Sequence, residues 1–92
     1  MTYEEFEKEV EKLELTYHYN YCFVSIYYPT HNSYPLAYVS KETLNRVIIT
    51  AVTSLLTPSK NSKLLTLCCK LAKTPINKRG ELKWLMKLLK MK

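Results

Sequence analysis

Residues 17–28, YHYNYCFVSIYY, decide the fold of this chain, because they alternate with a period of two where the residues before them do not. On an extended backbone, successive side chains point to opposite faces. Tyr17, Tyr19, Tyr21 and Phe23 therefore fall on one face, and Cys22, Val24, Ile26 and Tyr28 on the other. β-branched and aromatic residues suit a pleated, half-buried surface, so the pattern predicts one long strand. Pro29 ends it, and Thr30-His31-Asn32-Ser33 supplies turn chemistry before Tyr34-Pro35. Leu36 to Ser40 then reads as the returning strand of a hairpin, and Asn45 to Thr53 (NRVIITAVT) as a third strand, or as a helix starting near Lys41.

Helical signals flank this region on both sides. Thr2-Tyr3-Glu4-Glu5 is a capping box, and Tyr3, Phe6, Val10 and Leu13 recur at helical spacing, so a helix is predicted over 2–14. Pro58 or Ser59 opens a second helix, whose apolar stripe is Leu64, Leu67, Cys68, Leu71 and Ala72. Thr74-Pro75 stops it. Leu82, Leu85, Met86 and Leu89 return at helical spacing, opposite Lys83, Lys87 and Lys90. The expected architecture is a single α+β domain, 1–92: a small antiparallel sheet of three to four strands packed against two or three helices.

Composition narrows the function. Apolar residues make up 47% of the 92 and charged residues 24%, a globular balance rather than a disordered one. With one glycine, no glycine-rich phosphate loop can be built. Net charge is +6, unevenly spread: residues 1–46 hold four basic and seven acidic side chains, and residues 47–92 hold ten basic and one acidic. The basic half could meet nucleic acid, an anionic membrane surface or an acidic protein face. No run approaches the roughly 18 apolar residues of a membrane span. An acidic start without a secretory pattern and an odd number of cysteines (Cys22, Cys68, Cys69) point to a reducing cytoplasm.

Catalytic chemistry is poorly supplied. His18, His31 and the three cysteines lack the paired spacing of a structural metal site, so neither metal nor other cofactor is expected. The helical glutamates read as a solvated face, and Glu81 is isolated among cations, so no acid–base pair emerges. Two binding surfaces remain. One is basic: Lys70, Lys73, Lys78, Arg79, Lys83, Lys87 and Lys90. The other is aromatic: Tyr19, Tyr21, Tyr27 and Tyr34.

The string at 64–84, LLTLCCKLAKTPINKRGELKW, resembles a C-terminal pattern of small uncharacterised proteins of phages and prophages in Gram-positive bacteria. Its marks are Ala72, Thr74, Pro75, Arg79, Glu81 and Trp84. The resemblance covers about a quarter of the chain, with Val39-Ser40 a weaker echo. Gly80 departs from it, standing where an acidic residue is usual. Relatives of this type read as a strand after the aromatic, against the helical period at 82–89, so helix and strand both stay open there. The resemblance implies a phage-borne accessory protein in the host cytoplasm, and it transfers no catalytic residue. Such a protein would bind a host protein or nucleoprotein stoichiometrically, most sharply as an inhibitor of a defence effector such as a CRISPR nuclease. The alternatives are direct binding of DNA or RNA by the basic half, and self-association as a dimer.

Overall fold

A computed structural model describes residues 1–30 and 33–80. The chain forms α1 (Tyr3–Lys12), β1 (Thr16–Tyr19), β2 (Phe23–Tyr27), β3 (Ala37–Ser40), β4 (Val47–Ile49) and α2 (Pro58–Lys73). Short 3-10 turns follow β4 at Ala51–Leu55 and α2 at Ile76–Lys78. The four strands make one antiparallel meander in the order β1-β2-β3-β4, and the fold is α+β. The expected helix or strand over 82–89 lies outside the described residues.

Both helices begin where their capping residues allow. The Thr2 hydroxyl accepts from the Glu5 amide at 3.2 Å, and the Glu5 carboxylate accepts from the Thr2 amide at 2.9 Å. Hydrogen bonding from Thr2, its backbone amide first, holds the Glu5 carboxyl below its ordinary range, and the two cap bonds satisfy two amides that the first helical turn leaves open. Thr57 caps α2 with its hydroxyl alone, which accepts from the Lys60 amide at 3.2 Å, and Pro58 takes the first helical position. The stripes expected from spacing are buried, with Tyr3, Phe6 and Val10 on α1 and Leu64, Leu67, Cys68, Leu71 and Ala72 on α2; Leu13, the last of the α1 set, falls at the helix C-cap and is only partly buried. They close over Val24, Ile26, Ala37 and Val39 of the central strands.

The sequence 17–28 is not one strand. Asn20 breaks it: its side-chain oxygen accepts from the amides of Cys22 (2.9 Å) and Phe23 (2.7 Å), while its own amide donates to the Phe23 carbonyl (3.0 Å). The chain reverses at Tyr21-Cys22, and β1 pairs back on β2 with Tyr19 opposite Val24 and Tyr17 opposite Ile26. Residues opposite one another share a face, so this reversal reassigns the aromatics. Tyr17 and Tyr19 join Val24 and Ile26 beneath the helices, whereas Phe23 and Tyr27 go to the other side.

The expected strand 45–53 is also cut short. The Thr50 hydroxyl donates to the Pro35 carbonyl at 2.7 Å and accepts from the Val52 amide at 3.3 Å. Pairing with β3 stops there and a 3-10 turn begins.

Arg79 ties these layers together. Its side chain is fully buried, and it donates from Nε to the Thr74 carbonyl, from Nη1 to the Ser40 carbonyl and from Nη2 to the Ala72 carbonyl, at 3.0, 2.5 and 3.2 Å. Its own carbonyl accepts from the Tyr3 amide at 2.6 Å, at the start of α1. One residue thus joins the end of β3, the end of α2 and the start of α1. Just beyond it, Gly80 takes φ 95°, a conformation costly for any residue with a Cβ.

Replacing Asn20 with Ala removes the acceptor that closes the β1–β2 turn. The expected loss is about 1–2 kcal/mol of unfolding free energy, measured by urea titration, with Asn20→Asp retaining most of it. An unchanged midpoint for Asn20→Ala would show that the side chain does not set the turn.

Candidate functional site

The meander has two unlike faces. On the side covered by α1 and α2 lie Tyr17, Tyr19, Val24, Ile26, Ala37, Val39 and Val47, all in or against the core. On the other lie Thr16, His18, Phe23, Ser25, Tyr27, Tyr38, Ser40 and Ile48, and none of these joins the core cluster. Among the described residues no helix packs on this second face. Phe23 and Tyr38 meet edge to face at 5.6 Å between ring centres. Ser25 lies opposite both His18 and Tyr38 and is 2% exposed, so the larger side chains around it close over a small residue. Phe23, Tyr27 and Tyr38 stay partly exposed, as an apolar patch with hydroxyls at its margin.

The four expected tyrosines do not form one surface. Tyr19 is half-buried under α1, where its phenol donates to the Glu7 carboxylate and its ring meets Tyr3 at 5.8 Å. Tyr27 lies on the open face. Tyr21 (78% exposed) sits in the β1–β2 turn, and Tyr34 (72% exposed) in the β2–β3 connection, at opposite ends of the sheet. A four-residue strand spans about 13 Å, so these last two cannot anchor one small contact together. Phe23 and Ile48, absent from the expected set, share the open face with Tyr27 and lie next to Tyr38. Recognising Asn20 as a turn residue is the signal that would have found them, since it fixes the register.

The basic set is divided as well. Lys70 and Lys73, in the last turn of α2, and Lys78, in the 3-10 turn after it, are exposed. Arg79, expected among them as a contact residue, is instead internal, its guanidinium held by three carbonyls. A planar fork of five donors is the side chain suited to gathering several acceptors at once. Lys83, Lys87 and Lys90 lie outside the described residues. Lys41, not in the expected set, is 7% exposed and donates to the Asn20 carbonyl at 2.5 Å. Burial pushes its ammonium below the ordinary lysine range.

Between α1 and α2, on the side away from the sheet, runs a groove of about 640 Å³. Met1, Leu13 and Leu67 form its apolar part, with Lys8, Lys12, Lys63 and Lys70 along its walls.

Reactive groups are sparse. Burial pushes the Cys68 thiol up to about 12, which leaves it inert at neutral pH. Cys22 is exposed and Cys69 intermediate. Among the described residues no three metal-ligating side chains converge, and no helix is long and apolar enough to cross a membrane. No family model, no curated protein and no solved structure matches the chain.

The phenols under α1 give a pH signature. Burial first, then the negative charge of Glu7 and Glu11, pushes Tyr17 up to about 12, and burial also raises Tyr19. Unfolded phenols ionise near 10. From about pH 10 to 12 the unfolded chain sheds protons that the folded chain keeps, so stability falls through that window and this contribution is intact below it. Phenolate absorbance should show some of the eight tyrosines titrating late. Tyr17→Phe should soften the alkaline fall in urea midpoint. A single transition near 10 for every tyrosine would contradict this arrangement.

Proposed function

We propose that this chain works by stoichiometric binding rather than catalysis, and that the open sheet face is its contact surface for a host protein. The observation that carries the reading is the chemistry of that face. Phe23, Tyr38 and Ile48 are neighbours there, with Tyr27 on the same face farther along β2, and no strand residue on it bears a formal charge; Arg46, just before β4, stands at its edge. Protein interfaces are enriched in aromatics and depleted of charge at their centres, and aromatic anchors dominate their energetics. A single-stranded nucleic-acid site needs cations beside its stacking rings. Here the exposed lysines of α2 lie on the helical side, away from the rings.

The resemblance at 64–84 supplies the setting: a phage or prophage accessory protein in the bacterial host, with an effector nuclease of antiviral defence the sharpest form of partner.

Tagged protein incubated with nuclease-treated host lysate should retain one protein in a one-to-one complex at moderate salt. Tyr27→Ser with Tyr38→Ser should weaken that complex at least tenfold without moving the melting temperature much, whereas Lys60→Glu with Lys73→Glu should leave it intact. Release by nuclease, or loss in the lysine variant alone, would replace this reading with nucleic-acid binding.

A further inference from the structure

We infer that the groove between α1 and α2 receives an acidic amphipathic helix of a partner protein. It lies across the molecule from the open sheet face, and the inference stands whether or not that face binds anything.

Charge gives the first reason. Four lysines and two glutamates, Glu5 and Glu9, line the groove, and both glutamates are engaged. Glu5 closes the capping box, and Glu9 accepts from Lys12 at 3.1 Å. Lys8 reaches Glu4 only at 3.9 Å, in an exposed pair of little worth. Lys63 and Lys70 have no carboxylate partner among the described residues. Lysines outnumber glutamates by two along the groove, so a net positive field remains, strongest along the α2 wall where Lys63 and Lys70 stand.

Shape and spacing give the second. Lys8 and Lys12 are one turn apart on α1, and Lys63 and Lys70 two turns apart on α2, rises of about 6 and 10 Å. On the α1 wall the lysines alternate with Glu5 and Glu9, whereas the α2 wall is purely cationic; between them lie Met1, Leu13 and Leu67, with Ser62 and Thr66 keeping the α2 wall low. A helix with leucines on one side and carboxylates along the adjoining flank fits such a trough, its apolar side down and its acids against Lys63 and Lys70 of the α2 wall. A phosphodiester backbone fits worse. It offers no apolar face to set against Met1, Leu13 and Leu67. The remainder of this chain is no better: residues 81–92 carry four lysines and one glutamate, the same sign as the groove.

The test is an NMR titration with a synthetic peptide of about five helical turns, leucine on one stripe and glutamate elsewhere. Expected are amide shifts confined to the groove-lining stretches of α1 and α2, with saturable binding that weakens as salt rises. Lys63→Glu with Lys70→Glu should lower affinity at least tenfold, Lys73→Glu with Lys78→Glu less than twofold. The same peptide with lysine for glutamate should not bind. Inorganic polyphosphate producing the same shifts at similar affinity would overturn the proposal in favour of a simple polyanion site. So would equal losses in the two double variants. Concentration-dependent sedimentation with groove shifts in the peptide's absence would make a second copy the occupant instead.

Discussion

A buried guanidinium with three backbone carbonyls around it is the constraint on which this small fold depends. Arg79 reaches Ser40 at the end of β3, Ala72 at the end of α2 and Thr74 just past it. The last carbonyls of a helix lack intrahelical donors and carry the negative end of its dipole, so a cation there is favoured electrostatically as well as by hydrogen bonding. The Ala72 carbonyl also accepts from the Asn45 amide, and the Thr74 hydroxyl from the chain's N-terminal ammonium. Sheet, helix and N-terminus are drawn to one point. A lysine could not do this, having a single nitrogen to place.

That geometry separates the two surfaces on which a binding function can rest. With α1 and α2 both held against one side of the meander, the aromatics of the opposite side stay uncovered by any described helix. The lysines of α2 face outward from the helical layer. An uncharged aromatic patch and a cationic groove are thus back to back, about a helix and a sheet apart. Each can hold a different chemistry without the cost of placing charge among the rings, so a small protein of this shape can bridge two partners or grip one partner at two places.

Local signals made much of the fold legible in the sequence. Thr2 and Glu5 announce the start of α1 because capping is decided by four adjacent residues, and the stripe from Leu64 to Ala72 reports α2 because burial follows helical period. Two features resisted reading for physical reasons. Aromatic alternation runs through Asn20 without a break, so the turn there shows only in the bonds its side chain makes. Missing it moves Phe23 and Tyr27 onto the face with Tyr17 and Tyr19, and the candidate surface with them. Arg79 stands next to Lys78 and reads as one more solvated cation. Its burial depends on carbonyls from three segments that sequence proximity does not reveal.

The central claim is that Arg79 holds the layers together, and Arg79→Met tests it most directly. The methionine fills much of the same space while taking the guanidinium donors from the Ser40 and Thr74 carbonyls and leaving the Ala72 carbonyl only the Asn45 amide. Urea unfolding combined with amide hydrogen exchange should show a loss of about 3 kcal/mol. Exchange should quicken together at Tyr3 and Asn45, the two amides bonded to the clamp. A variant with an unchanged midpoint and undiminished protection at both amides would contradict the account.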